Sequence, residues 1–224
     1  MSVRSYIRLI SPGLAMLIAS VTVGALQGST IVPGPGEFPP DIFACSCTLD
    51  ASVTGSWASD TSKMSGTYEA AVYSDLSNPF GSGDLDFVFQ LSNNAGSEDS
   101  VGRVTAIDFT GFLTDVGYLP SGSSLGNGFV NGMIAPAFVD RLPPGDSIGF
   151  SFDAPVIGPG QTSTVIVIET NARNFTPGDV NFIDGGVTTN AAFEPEATPE
   201  PPSMLLIGGG LLLLTRFVGF RKAR

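Results

Sequence analysis

The chain has no histidine among its 224 residues. That absence excludes Ser-His-Asp and Cys-His nucleophilic catalysis, and with them the usual histidine-containing metal centres. Cysteine is almost as scarce, the only two being Cys45 and Cys47 in Ala44-Cys45-Ser46-Cys47. A soft-metal site needs further sulfur or imidazole ligands, and none are present. Disulfide geometry is hard to meet across a single intervening residue. Three states are therefore open: a strained bridge within the chain, pairing between chains, or two free thiols. Cations form the third scarcity. Six of the ten lie in the two ends (Arg4, Arg8, Arg216, Arg221, Lys222 and Arg224). Between residues 26 and 200 only Lys63, Arg103, Arg141 and Arg173 stand against all 21 acids, a net charge of −17. A segment so acidic repels nucleic acid and anionic membrane surfaces, whose binding depends on cationic contacts. Nucleic acid is excluded as a partner, and solubility outside the cell is the simplest use of the charge.

What the chain has in abundance is turn chemistry. Its 28 Gly and 17 Pro recur with Ser, Thr, Asn and Asp about every ten residues, which suits short strands better than helices. Between these breaks apolar residues alternate with polar ones. Phe87, Phe89 and Leu91 share one face of 84–92; Thr105, Ile107 and Phe109 share one face of 101–112; Ile148, Phe150 and Phe152 share one face of 147–153. A period of two is the strand signature. The consecutive run Val165-Ile166-Val167-Ile168 predicts a central strand buried on both faces. Further strands are predicted at 49–57, 66–73, 129–134 and 186–193. About eight short strands at this spacing predict an all-β fold, an antiparallel β-sandwich of jelly-roll or immunoglobulin-like type. No repeat of fixed period is present.

The ends carry different chemistry. Arg4 and Arg8 precede an apolar stretch from Leu9 to Leu26, and Val23-Gly24-Ala25 supplies small residues at the two positions a signal peptidase reads. This order predicts a signal peptide over 1–25, helical in its apolar part and cleaved after Ala25. An uncleaved anchor helix is the competing reading, opposed by Pro12, Gly13 and Gly24. Residues 26–44, rich in Pro and Gly, read as an extended linker ahead of a β domain over 45–194. Ile42-Phe43-Ala44-Cys45 has the outline of a lipoprotein processing box. Lipidation is opposed by Pro33, Pro35, Glu37, Pro39, Pro40 and Asp41, which separate it from the apolar run such processing requires.

Residues 195–224 begin the second address. Pro199-Glu200-Pro201-Pro202-Ser203 is followed by an almost wholly apolar stretch over 204–220, then by Arg221-Lys222-Ala223-Arg224. The proline cluster cannot continue a helix and lacks amide donors, so it stays extended and open to a peptidase. The apolar stretch predicts a transmembrane helix of about 26 Å, slightly short of a hydrocarbon core of about 30 Å. The basic tail holds that end in the cytoplasm and leaves residues 26–200 outside the inner membrane.

Pro199-Glu200-Pro201, the Gly208-Gly209-Gly210 and Leu211 to Leu214 run, and Arg221, Lys222 and Arg224 resemble, in order and spacing, the sorting signal of PEP-CTERM proteins. Pro202 and Arg216 depart slightly from the pattern. The resemblance implies processing by an exosortase, an integral-membrane peptidase of Gram-negative bacteria. Release or transfer to the envelope or to an exopolysaccharide matrix then follows, so the membrane is an intermediate station. The segments 85–93, 112–118 and 170–175 also resemble recurring segments of PEP-CTERM ectodomains, a group whose biochemical activity is largely uncharacterised.

No catalytic residues are identified and no cofactor is expected. With 21 acids, some pair at a glycosidase-like separation is inevitable and carries no information. Asp84 and Asp86, two apart on a strand, are the candidates for Ca2+, with Glu98-Asp99 on the loop that follows. Calcium needs six to eight oxygens, usually from a defined loop, and no EF-hand or Asp/Gly repeat is present. Solvation at a strand edge is the favoured reading of both. Trp57, Tyr68, Tyr73 and Tyr118 are candidates for stacking on sugar, against a core role favoured for Trp57. Asn174-Phe175-Thr176 matches a glycosylation sequon, and a turn before Pro177 explains it. The expectation is a non-enzymatic envelope or matrix protein whose partners are a signal peptidase, an exosortase, the membrane and extracellular polysaccharide. A carbohydrate- or calcium-binding module and an Asp/Glu-dependent hydrolase are the alternatives.

Overall fold

The alternating segment at 84–92 and the unbroken apolar run at 165–168 become neighbouring strands at the centre of one sheet. A computed structural model describes residues 29–143 and 145–197, leaving aside the side chains of Ser29, Pro35 and Glu37. The strands are β1 Ser29–Ile31, β2 Gly34–Phe38, β3 Asp41–Ile42, β4 Cys47–Ala58, β5 Ser65–Asp75, β6 Asp84–Asn93, β7 Arg103–Ala106, β8 Thr114–Leu119, β9 Phe138–Arg141, β10 Ile148–Ser151, β11 Val165–Thr170, β12 Asn174–Ile183 and β13 Val187–Glu196. A short 3-10 turn covers Gly122–Ser124. Among the described residues no helix is long and apolar enough to cross a membrane.

The strands form two sheets. The seven-stranded sheet has the order β1-β8-β11-β6-β5-β4, with β3 added beside β8; the six-stranded sheet has the order β13-β12-β7-β10-β9-β2. Every pairing is antiparallel except β3 with β8. The domain is thus an all-β sandwich. Its core collects the inward side chains of both sheets, including Phe87, Phe89, Leu91, Ile166, Ile168 and Val116 from one and Val104, Ile148, Phe150, Val180 and Phe182 from the other. Fully burying side chains of this size stabilises the fold by about 1.5–3 kcal/mol each. Phe87 meets Phe109 edge to face at 5.4 Å, and Trp57 meets Phe182 the same way at 5.4 Å, the geometry the ring quadrupole prefers.

Several expectations are corrected. The segment expected as a linker over 26–44 contributes three strands: β1 and β3 pair with β8, and β2 pairs with β9. The β domain therefore begins before residue 45, and β13 carries it past residue 194 to Glu196. Residues 129–134 form no strand and make only isolated bridges, Ser121 with Asn131 and Ile134 with Ser163. Asn174-Phe175-Thr176 lies in β12, paired residue by residue with β13, where a turn was expected. Pro177 is tolerated there because β7 pairs β12 only over Val180–Ile183, which leaves the proline on an edge. The signal peptide with Ala25, the sorting motif Pro199, Glu200 and Pro201, the helix over 204–220 and the tail Arg221, Lys222 and Arg224 lie outside the described residues.

Arg141 closes one end of the sandwich. Its buried guanidinium donates to the carbonyls of Phe109, Phe112 and Gly145 and to Thr114 Oγ1. These bonds satisfy the loops that lead into β8 and β10, as a buried cation requires.

Candidate functional site: a row of buried carboxylates

Strand alternation gives β6, β11 and β8 two very different faces. Leu85, Phe87, Phe89 and Leu91 of β6 point into the sandwich; Asp84, Asp86, Val88 and Gln90 point the other way, since residues two apart share a face. The register then sets acids side by side. Asp86 is directly opposite Glu169, and Glu169 is directly opposite Asp115. Directly opposed Cβ atoms lie about 4.5–5.5 Å apart, and like charges there repel. Asp75, at the end of β5, pairs with Asp84 and lies diagonally from Asp86.

All five carboxylates are buried: Asp75 and Asp86 at 0% exposure, Asp115 at 1%, Asp84 at 4% and Glu169 at 6%. The reading of Asp84 and Asp86 as solvated edge residues is therefore corrected. β6 is a central strand, and its outer face is covered. The cover is the chain from β3 to β4, which lays Phe43, Cys45 and Cys47 against Ala71, Tyr73, Val88, Val165 and Val167. Gly117 permits that approach, because a Cβ there would stand 3.0 Å from the Asp41 carbonyl oxygen and 3.3 Å from Phe43 Cβ. Cys45 and Cys47 are joined to each other by a disulfide, and Cys47 Sγ lies 3.7 Å from Asp86 Oδ2.

The turn between β5 and β6 organises the acids. Asp75 Oδ1 accepts hydrogen bonds from Ser46 N (2.9 Å), Ser77 N (2.8 Å) and Ser77 Oγ (2.6 Å), the Asx-turn habit of aspartate. Asn78 Oδ1 caps the Phe80 amide at 2.9 Å. Asn78 Nδ2 reaches across to Asp86 Oδ1 at 2.9 Å and to the Thr170 carbonyl at 3.1 Å. At the row's ends, Arg173 Nε is 2.9 Å from Asp84 Oδ1, and Thr30 Oγ1 is 3.5 Å from Asp115 Oδ2.

Burial is the main force on the acidities. It pushes Asp86 up to about 9, with the charges of Glu169 and Asp75 adding to the shift and the Asn78 bond opposing it. Glu169 is pushed up to about 8 by burial, then by Asp115 and Asp75. Asp115 rises to about 6 through burial, moderated by its bonds from Val116 and Thr30. Desolvation disfavours the charged form, and an adjacent like charge disfavours it again.

Two other hollows are less organised. One of about 310 Å3 beside the disulfide is lined by Phe43, Cys45, Tyr73, Leu119 and Leu125. Another, on the outer face of the six-stranded sheet, holds Arg103 in a two-pronged ion pair with Asp140 at 2.7 and 2.9 Å. Gly149 leaves room for that guanidinium. Of the sugar-stacking candidates, Trp57 and Tyr73 are buried and Tyr68 packs edge to face on Phe182 at 5.8 Å, while Tyr118 is half-buried. Glu98 and Asp99 sit on the loop after β6, away from Asp84 and Asp86 in the strand register.

Sequence reasoning found Asp84 and Asp86 but missed Asp75, Asp115 and Glu169. Only the strand register brings these three to Asp86, from positions 11, 29 and 83 residues away in sequence. The buried Arg141 was missed for the same reason. Compared with protein-family models, with curated proteins and with solved structures, the chain finds no match in any of the three.

Proposed function

We propose that the protein is an exported bacterial envelope or extracellular-matrix protein of non-enzymatic type, a sandwich of jelly-roll or immunoglobulin-like kind delivered by its two ends. The observation that carries this reading is the ordered tail: Pro199-Glu200-Pro201, the Gly-rich apolar run over 204–220, and Arg221, Lys222 and Arg224. An apolar run with a basic end specifies membrane insertion alone. The Pro-Glu-Pro element adds an accessible cleavage site outside the membrane, the chemistry an exosortase-type peptidase needs. The net charge of −17 over 26–200 suits a soluble product on the outer side.

A non-enzymatic role is supported by the lack of histidine and by the position of the carboxylates. The concentrated ionisable groups are buried, Asp75 and Asp86 against the 43–47 segment, where a substrate does not reach them. Extracellular polysaccharide is the partner that fits a matrix setting, and a glycan array probed with the full chain tests it; silence across the array removes polysaccharide from the reading. The export reading is tested by mass spectrometry of the mature protein from the bacterium that makes it. A C-terminus at or near Pro199-Glu200-Pro201 is expected. Extracellular material still carrying residues through Arg224 overturns the processing.

A further inference from the structure

Cys45 and Cys47 are joined across a single intervening residue. A cross-link stabilises a fold chiefly through the length of chain it closes into a loop, and this one closes almost none. Its surroundings offer a different use. Both sulfurs are half-buried, and both line the hollow of about 310 Å3 that Phe43, Tyr73, Leu119 and Leu125 share with them. One sulfur also meets an acid: Cys47 Sγ lies 3.7 Å from Asp86 Oδ2.

A disulfide sulfur carries no hydrogen, so the proton available to that contact is the carboxyl's. Asn78 Nδ2 donates to Asp86 Oδ1 at 2.9 Å, which makes Oδ1 the carbonyl oxygen and leaves the proton to Oδ2, the atom beside the sulfur. Asp86 exposes none of its surface and hydrogen-bonds to Asp75. No cation serves it; among the described residues the ion pairs join Arg103 to Asp140 and Arg173 to Asp84. Burial without a positive partner keeps a carboxyl protonated. The fold thus sets an acid at one end of a bond that a thiol can break from the hollow.

We propose that the Cys45–Cys47 bridge is a redox-active disulfide that takes two electrons from cysteine thiols of a polypeptide substrate, with Asp86 as the acid that protonates the departing Cys47 sulfur. First a substrate thiolate, its proton released to water, attacks Cys45 Sγ. A new sulfur–sulfur bond forms, the Cys45–Cys47 bond breaks, and its electron pair stays on Cys47, which takes the Asp86 Oδ2 proton. A second substrate thiolate then attacks the substrate sulfur of the mixed disulfide. The substrate leaves as a disulfide, while the Cys45 thiolate and the Asp86 carboxylate each regain a proton from water. Two substrate thiols are oxidised and the bridge is reduced to two thiols. Each chain acts once until another disulfide reoxidises it, so the site is a stoichiometric oxidant and adds to the non-enzymatic envelope role without resting on it. The substrate meets the sulfurs alone, with Asp86 behind them. The apolar lining of Phe43, Leu119 and Leu125 suits a cysteine flanked by apolar residues, and the acidity of the domain disfavours an anionic one.

The test uses the full 224-residue chain, purified in detergent with the bridge formed. Reduction by dithiothreitol is followed by alkylation and mass spectrometry, below the melting temperature at every pH. The folded chain should react within minutes at about 1 mM, and the reduced chain should melt within about 6 °C of the oxidised one. A bridge that resists reduction until urea unfolds the chain overturns the proposal, as does a fold that collapses once the bridge is reduced. At neutral pH Asp86→Asn should slow reduction by about 100-fold, the lower end of what a positioned acid contributes. Exposed Asp153→Asn should leave the rate intact. An unchanged rate in Asp86→Asn removes the acid from the scheme. Should Asp86→Asn fail to fold, the pH profile of the unaltered chain makes the same test. The groups that face Asp86 are Tyr73 and Asp75 on β5, Glu169 on β11 with Asp115 beyond it, Asp84 on its own strand held by Arg173, and Cys47. Divided by thiolate concentration, the rate should be level at neutral pH and fall above about pH 9, where Asp86 loses its proton. Tyr73, pushed up to about 12, stays neutral there, whereas Glu169, pushed up to about 8, titrates close by. The Glu169 charge adds to the shift of Asp86, so Glu169→Gln should move the fall to lower pH. A level profile in the unaltered chain, or a fall that vanishes in Glu169→Gln, overturns the role of Asp86. A peptide with two cysteines flanked by leucine should reduce the bridge about tenfold faster than one flanked by glutamate; equal rates overturn the choice of an apolar polypeptide as substrate.

Discussion

The two faces of β6, β11 and β8 are built from the same backbone and stand in opposite conditions. On the inner face Phe87, Phe89, Ile166, Ile168 and Val116 fill the sandwich, where burial is favourable at every position. On the outer face Asp86, Glu169 and Asp115 form a row of directly opposed carboxylates, and the same degree of burial is unfavourable to their charges. Burial therefore has no fixed sign; the group that is buried sets it. The 43–47 segment that covers the outer face creates a small apolar cluster with Tyr73, Val88, Val165 and Val167. In doing so it deprives the neighbouring acids of water.

The largest expected effect lies on the inner face. Phe87→Ala should lower the stability by about 3–5 kcal/mol in urea unfolding, since it empties a fully buried site and removes the edge-to-face contact with Phe109. A loss below about 1 kcal/mol would show that the sandwich core is not packed around Phe87.

The outer face should respond to pH in the opposite sense from an ordinary set of paired carboxylates. Asp115, Glu169 and Asp86 have folded values raised to about 6, 8 and 9, above the unfolded range of about 4. A raised carboxyl binds its proton more tightly in the folded state, so the stability it contributes is complete below about pH 4 and is lost as pH rises through the folded values. In EDTA, melting temperature should therefore fall between about pH 4 and pH 9. A profile that rises steadily over that interval would mean that these acids are ionised and paired.

A smaller effect is expected at the end of the row. Arg173→Ala should cost about 1 kcal/mol: the arginine side chain is 67% exposed and screened by water, while Asp84 at 5% is left buried without its partner. Chemical denaturation at low and high salt checks this, with a weaker effect at high salt. The smallest effect is expected from Thr30→Val, below about 0.5 kcal/mol in the same assay, because its contact to Asp115 at 3.5 Å is at the limit of a hydrogen bond.

Much of the sandwich was legible because alternation is a local signal. Phe87, Phe89 and Leu91 announce the inward face of β6, and Val165-Ile166-Val167-Ile168 announces a strand buried on both sides, as β11 is. What alternation does not convey is the identity of the cover over the second face. Asp84 and Asp86 read as solvated because alternation does not show what packs against them; beside Asp86 lies Cys47, 39 positions upstream, and beside Asp84 lies Arg173, far downstream. The stretch 26–44 read as a linker for a related reason. Short, Gly- and Pro-rich strands have little propensity of their own and form where β8 and β9 offer free edges. The stretch 129–134 shows the converse, β-prone composition without a partner strand.

Residue type and short-range order were enough for the class of fold, for the inward faces of β6 and β10, for the exclusion of histidine chemistry and for the expectation of an address at each end. None of these needs a contact between distant residues. That Asp75, Asp86, Glu169 and Asp115 share one buried row, that Arg141 ties together the loops leading into β8 and β10, and that the disulfide lies over Asp86 came from the folded arrangement alone. Those are matters of strand register between residues far apart in the chain, and a pairing shifted by one residue would have turned every one of these carboxylates to the opposite face.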